Sequence, residues 1–227
     1  RNDRVIWAAC MVSCGDADGA VTGNTRRYGA SIEKIKKVIE PRPGEIMFGL
    51  NMIVNKGKTV FIGDTSVHEY PTSEQLAEIA ISSARVVRLF GFDPKIAFVS
   101  HSTFGQPLTS RTKHIKNAVN ILKKKNVDFK FDGDMQPDVA LNEEYKELYP
   151  FSDIVGNANI LIMPGQHSAA ISYKMMRELG GAKVIGPLLI GLGQPIEIAP
   201  LRSSTSDILN LASIAAFSSD VIDYNKN

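Results

Sequence analysis

Three stretches of the chain place small hydroxyl residues or glycines directly after an apolar run, which is where a ligand can be gripped. His101-Ser102-Thr103-Phe104-Gly105 follows Lys95-Ile96-Ala97-Phe98-Val99-Ser100, and its hydroxyls and glycine can hydrogen-bond an anionic or amide ligand at a helix approach. Pro164-Gly165-Gln166-His167-Ser168 follows Ile160-Leu161-Ile162-Met163. Gly186-Pro187-Leu188-Leu189-Ile190-Gly191-Leu192 follows Val184-Ile185, and its two glycines let backbone approach a ligand closely. Each stretch also has a simpler use, since Ser102, Thr103 and Ser168 can cap helices and glycines after strands make turns. The carboxylate pairs Asp16 with Asp18 and Asp132 with Asp134 could serve acid/base chemistry or hold Mg²⁺; carboxylates so spaced are also common in solvated loops. The basic residues Arg111, Lys113, Lys116, Lys123, Lys124 and Lys125 could meet nucleotide phosphates or form a solvated helix face.

Other chemistries find less support. Gly15-Asp16-Ala17-Asp18-Gly19 does not open a helix in the G-x-G-x-x-G register of a dinucleotide site, and no P-loop is present. His68, His101, His114 and His167 lie far apart, so no metal site is expected. Cys10 and Cys14, at helical i,i+4 spacing, read as two reduced, half-buried thiols.

The elements that must position these residues alternate between strand and helix. Val5-Ile6-Trp7-Ala8-Ala9 reads as a buried strand or the start of a helix. Ile32, Ile35, Val38 and Ile39 mark an amphipathic helix that Pro41 and Pro43 terminate. Phe48 to Val54 and Thr59 to Gly63 read as two strands joined by a hairpin turn at Asn55-Lys56-Gly57-Lys58. Thr72 and Gln75 are spaced for a capping box on a helix whose inner face runs from Leu76 to Val87 and which Gly91 stops. A strand at 95–100, a helix at about 110–125, a strand at 160–163, a helix ending at Gly180-Gly181, a strand at Val184-Ile185 and a last helix from Ser206 to about Phe217 complete the series. This order predicts an α/β fold with parallel pairing and helices on the sheet faces.

The chain has 227 residues, 44% hydrophobic and 22% charged, enough to bury a sizeable core. A net charge of +2 is too small for a strong nucleic-acid field, and no basic patch is interleaved with aromatics. No apolar run approaches the roughly 20 residues a membrane span needs, and Arg1-Asn2-Asp3-Arg4 lacks the layout of a secretory signal. A cytoplasmic protein is expected, with neither nucleic acid nor membrane as partner. Its first residue is Arg1 and not Met, which suggests a piece of something longer.

Seven blocks in one order resemble the signature of phosphate acetyl/butyryl-transferases. They are residues 15–23 (Gly15-Asp16-Ala17-Asp18-Gly19-Ala20-Val21-Thr22-Gly23), Leu76-Ala77-Glu78-Ile79-Ala80, Ser100-His101-Ser102-Thr103-Phe104-Gly105, Phe131-Asp132-Gly133-Asp134, Asn157-Ala158-Asn159-Ile160-Leu161, Ile171-Ser172-Tyr173-Lys174 and residues 186–192. Pro41-Arg42-Pro43-Gly44, Val67-His68-Glu69, Leu179-Gly180-Gly181-Ala182 and Ala199-Pro200-Leu201 resemble, more narrowly, the copies of that domain fused behind a bacterial NADP-dependent malic enzyme. The resemblance implies two three-layer α/β subdomains with a cleft between them, isocitrate/isopropylmalate dehydrogenase-like, with the first part of the domain upstream of Arg1. It places 1–47 and 190–227 in one subdomain and 48–189 in the other. It also implies homodimers and an acyl-CoA ligand, with Ser102, Thr103, Gly186, Pro187, Arg202 and Asp207 as candidate contacts.

One departure from the family is informative. Active members carry Asp-Leu-Ser-Arg-Gly shortly before a final Asp, the Ser and Arg lining the reacting acyl group. Here the run is Ile198-Ala199-Pro200-Leu201-Arg202, so Pro200 and Leu201 stand where the Ser and Arg should be, while Asp207 keeps the last position and Thr65 stands where a cysteine is frequent. Proline donates no hydrogen bond and leucine carries no charge. The expected function is therefore a catalytically inactive, acetyl-CoA-sensing and oligomerising domain of a malic enzyme, whose NADP and divalent metal belong to a separate domain. The alternative is an active phosphate acetyltransferase that uses Arg202 instead.

Overall fold

The computed structural model describes residues 3–224. In chain order the elements are α1 (Arg4–Ser13), β1 (Ala20–Gly23), α2 (Tyr28–Ile35), β2 (Phe48–Asn55), β3 (Lys58–Gly63), α3 (Ser73–Leu89), β4 (Lys95–Val99), α4 (Ser110–Lys125), β5 (Lys130–Met135), α5 (Pro137–Leu141), a 3-10 turn (Glu143–Glu147), β6 (Ile160–Ile162), α6 (Gln166–Gly180), β7 (Lys183–Ile190), β8 (Ile196–Ala199) and α7 (Thr205–Tyr224). The chain divides into two compact units, one made of the residues up to Gly49 and from Ile185 onward, the other of Leu50–Val184. Among the described residues, no helix is long and apolar enough to cross a membrane.

The six-stranded sheet has the order β5-β4-β6-β3-β2-β7. Strands β3, β6, β4 and β5 run parallel, and Ile96, Ala97, Phe98 and Val99 of β4 are all buried, as befits a strand covered on both faces. The expected β2–β3 hairpin is present and antiparallel, with Asn55 opposite Lys58. Its two turn residues, Lys56 (φ 48°) and Gly57 (φ 78°), supply the left-handed pair that a two-residue hairpin requires. Helix α3 opens on the expected capping box, with Gln75 N donating to Thr72 Oγ1 at 3.2 Å and Thr72 N to Gln75 Oε1 at 2.8 Å. It buries Leu76, Ile79, Ala80, Ala84 and Val87 and ends at Leu89, with Gly91 in the left-handed region just beyond. Helix α4 covers 110–125, with Lys113, Lys116, Lys123, Lys124 and Lys125 exposed, so these lysines form a solvated face; the side chain of Arg111 lies outside what is described.

In the other unit, β1 and β8 form a parallel pair on which α1, α2 and α7 pack. Its core includes Val5, Ala9 and Val12 of α1, Ile32 and Ile35 of α2, Ile196 and Ile198 of β8, and Leu211 and Ala215 of α7. A Cβ on Gly23 (φ 104°) would run into the Ala199 carbonyl oxygen, so glycine permits the close approach at the end of this pair.

Several sequence expectations need correction. Val5–Ala9 belongs to a helix, capped by the Asp3 carboxylate, which accepts from Val5 N at 3.0 Å. Cys10 is half-buried but Cys14 is exposed, and both are free. The helix through Ile32 stops at Ile35, well before Pro41, which instead bridges to Leu192. Gly186-Pro187 is not in a loop after a strand: it lies inside β7, which continues to Ile190. Glycine and proline argue against a strand interior, but β7 is at the sheet edge, the place in a sheet where proline is tolerated. Asp132 and Asp134 sit on β5, not in a solvated loop, and Asp134 is 1% exposed. The last helix runs past Phe217 to Tyr224.

Candidate functional site: a cationic cavity beyond a parallel strand pair

Ligands of parallel sheets collect beyond the carboxyl ends of the strands, because loops splay apart there. Beyond β1 and β8 lies a cavity of about 360 Å³. Val5 and Ala8 of α1, Val21, Ala199 and Ile208 give it an apolar lining; Arg4, Thr22, Asn24, Thr25 and Arg26 supply polar groups. Asn24 N donates to Ala199 O at 2.8 Å, which ties the loop to the end of β8. Lys34 Nζ donates to Asp3 and, with the N–H groups of Ile6 and Val5, holds that carboxyl below its usual range, while Arg26 Nη1 is 4.0 Å from Asp3 Oδ2. Arg4 has no ion-pair partner among the described residues. A lining with two guanidiniums and short hydroxyls beside apolar side chains suits an anionic group attached to a small apolar one.

The chain leaves this cavity through the segment that departs from the family pattern. The Pro200 carbonyl accepts from Ser203 N at 3.2 Å and from Ser203 Oγ at 2.8 Å, closing a turn. Leu201 is 55% exposed, and Arg202 is exposed with φ 64°, an uncommon conformation for a residue with a Cβ. Arg202 makes no hydrogen bond or ion pair with another described residue. Asp207 completes a capping box at the start of α7: Asp207 N donates to Ser204 Oγ at 3.2 Å, and Asp207 Oδ2 accepts from Ser204 N at 2.9 Å and Ser204 Oγ at 2.8 Å. Replacing Asp207 with Ala should therefore lower unfolding stability by about 1 kcal/mol in urea titration. An unchanged midpoint would mean that the cap contributes nothing.

Of the other candidates, Pro187 O accepts from Tyr28 Oη at 3.3 Å. The 101–105 loop belongs to the 50–184 unit. Ser102 there is fully buried and donates to Asp134 Oδ2, while Gly105 N donates to Asp134 Oδ1 at 3.0 Å. Thr103 Oγ1 accepts from Gln136 N at 3.3 Å. Asp134 is thus the organiser of this loop, and His101 is its exposed side chain. Thr65 is buried and donates to Asn51 Oδ1 at 2.8 Å. Ser168 is not the expected cap: it lies in the first turn of α6, whose N-cap is Gly165, and its hydroxyl donates to Gly165 O at 2.8 Å, while His167 pairs with Glu69 at 3.0 Å. Asp16 and Asp18 are exposed. Among the described residues, no three His, Cys, Asp or Glu are grouped to hold a metal ion.

Sequence reasoning missed Arg4, Asn24, Thr25 and Arg26. The available signal was the short run Ala20-Val21-Thr22-Gly23 as a strand end, which its length hides.

The α/β scaffold, with this cavity at the end of a parallel strand pair, is of the phosphotransacetylase type. The chain belongs to the phosphate acetyl/butaryl transferase family, whose model matches residues 1–216. It is 47% identical over 217 residues to the NADP-dependent malic enzyme of Rhizobium meliloti (strain 1021), a match covering 96% of this chain and 28% of that protein. It is 33% identical over 222 residues to the phosphate acetyltransferase of Clostridium acetobutylicum, covering 93% of this chain and 66% of that one. A crystal structure of a phosphotransacetylase from Streptococcus pyogenes matches with a TM-score of 0.89 at 31% identity, over 94% of this chain and 66% of the other. The chain thus spans less than a third of the malic enzyme and about two thirds of the transferases.

Proposed function

We propose that this chain is the phosphotransacetylase-like C-terminal domain of an NADP-dependent malic enzyme, and that it binds acetyl-CoA as a regulatory signal without transferring the acetyl group. The observation that carries the reading is the pair Pro200-Leu201, which offers no side-chain donor directly after Ala199, a residue lining the cavity that holds Arg4 and Arg26. The 47% identity to a malic enzyme supports the choice of parent. NADP and a divalent metal would belong to the malic-enzyme domain, outside this chain. Acyl-CoA contacts are proposed for Gly186, Pro187, Arg202 and Asp207 in one unit, and for the loop that Ser102 and Thr103 shape in the other. Arg202, exposed and without a partner among the described residues, is the cation proposed to meet a CoA phosphate or thioester carbonyl. The domain is further proposed to self-associate, as a dimer or larger homo-oligomer.

The test is calorimetry and malate turnover on the full-length parent. Acetyl-CoA should bind and inhibit, since it lies downstream of the pyruvate that malate oxidation yields, and coupling of roughly 5–150-fold in malate or NADP⁺ affinity is expected. Arg202→Ala should weaken acetyl-CoA binding and shift the inhibition curve to higher concentration. Unchanged affinity in that variant would remove Arg202 from the site. No acetyl-CoA binding at all would leave a purely structural domain.

The free Arg202 also supports one second reading, an active phosphate acetyltransferase in which this arginine replaces the lost one. Measured acetyl transfer to phosphate, abolished by Arg202→Ala, would establish it.

A further inference from the structure

The 50–184 unit holds a second cationic cavity, of about 240 Å³, lined by Lys95, Lys130 and Lys146 with Tyr149, Ser152, Asp153 and Asn157 among its other walls. Lys95 and Lys130 are the first residues of β4 and β5, so the cavity lies at the amino ends of these parallel strands, opposite the ends where sheet ligands usually collect.

Two features of this cavity cost stability. Lys95 and Lys130 are register partners on adjacent strands, which puts like charges side by side on one face. Lys130 is relieved by Asp153 at 3.0 Å and Lys146 by Glu143 at 3.7 Å, both in solvent, while Lys95 has no anionic partner among the described residues. Ser152 is only 7% exposed, and its hydroxyl has no hydrogen-bond partner among the described residues. Buried polar atoms are almost always satisfied, and this one of several unpartnered buried groups stands among the residues that line a cavity with three lysines. With Asp153 set against Lys130 and Glu143 against Lys146, one positive charge, that of Lys95, stays uncompensated at the lining.

We propose that this cavity binds a phosphate dianion, either free or as the head of a small phosphomonoester, held by Lys95, Lys130 and Lys146. The anion neutralises the charge excess and brings acceptor oxygens to the lysines, whose ammonium groups suit compact phosphate oxygens. The site is independent of the acetyl-CoA reading, since it uses none of the residues assigned to it.

The experiment is calorimetry and thermal unfolding with inorganic phosphate and with glycerol 3-phosphate, against sodium chloride at matched ionic strength. Both probes should bind saturably and raise the melting temperature beyond the chloride control. Tighter binding of glycerol 3-phosphate assigns the ester, and equal binding the free ion. Lys95→Gln should weaken binding about tenfold, the scale of one charge-assisted contact. The same change should raise the melting temperature of the phosphate-free chain by removing the like-charge pair, so a misfolded variant is distinguishable from a lost site. Arg26→Gln, in the other cavity, should leave phosphate binding in place. The proposal is overturned if phosphate stabilises no more than chloride does, if Lys95→Gln binds with unchanged affinity, or if binding disappears in Arg26→Gln instead.

Discussion

Full-length protein carrying this domain should exchange acetyl groups between CoA and phosphate at least about 10²–10³-fold more slowly than the roughly 10 s⁻¹ typical of enzymes. The expectation rests on what stands after β8. The family resemblance assigns a Ser and an Arg to orient the reacting acyl group, and this chain has Pro200 and Leu201. Neither side chain can donate a hydrogen bond, and proline also lacks the backbone donor. Removing one preorganised donor at a developing oxyanion costs on the order of 10²–10³ in rate, and two are missing. The turn itself does not depend on proline, since it is closed by Ser203 bonding to the carbonyl of residue 200, which any residue there provides. Pro200→Ser combined with Leu201→Arg should therefore preserve the loop and raise the rate, with each single change giving little. Thiol release from CoA, followed with purified full-length protein, is the measurement. A parent rate within about tenfold of 10 s⁻¹ would sink the inactive reading.

The second large effect is on stability. Glu197 lies in the middle of β8, is 4% exposed, and accepts a hydrogen bond from Leu189 N at 2.9 Å through Oε2. Burial pushes its carboxyl up to about 8 from the ordinary 4.5, and the Leu189 bond opposes this only in part. In the folded protein the group is neutral over most of the physiological range; in the unfolded chain it ionises near 4.5. The folded state therefore binds more protons, so the contribution to stability is fully present below pH 4.5. It is lost as pH rises toward about 8, and is flat beyond that. The swing is on the order of 5 kcal/mol at most, at roughly 1.4 kcal/mol for each tenfold change. Glu197→Gln keeps an acceptor for Leu189 N and removes the ionisation. Urea titrations across this range should find the two proteins alike at pH 4.5 and the variant more stable by several kcal/mol above pH 8. Parallel curves over the whole range would show that Glu197 is not buried as described.

Where local chemistry dictates structure, the sequence was sufficient. Thr72 and Gln75 satisfy orphan N–H groups within one turn of chain, and Lys56-Gly57 adopts a turn that needs only its own dihedrals. The 110–125 helix and the buried strand at 95–99 follow from hydrophobic periodicity and a continuous apolar run. The Pro200-Leu201 substitution is also legible there, because the absence of a donor is a property of the residue type. Tertiary structure decided the rest. The Gly186-Pro187 pair became strand because β7 sits at a sheet edge, a position that no local window records. Asp134 turned from a solvated carboxylate into the buried anchor of the Ser102 and Gly105 loop because two segments about thirty residues apart meet on adjacent strands. Arg4 and Arg26 share one cavity with Ala199 only because β1 and β8 pair across most of the chain, and Lys95 and Lys130 become neighbours only through strand register. Residue type and short-range spacing thus determined the elements and the absence of side-chain donors at residues 200 and 201. Which charges stand together, and which are buried, was settled by long-range pairing, whose free energy comes from burial that no single segment can achieve alone.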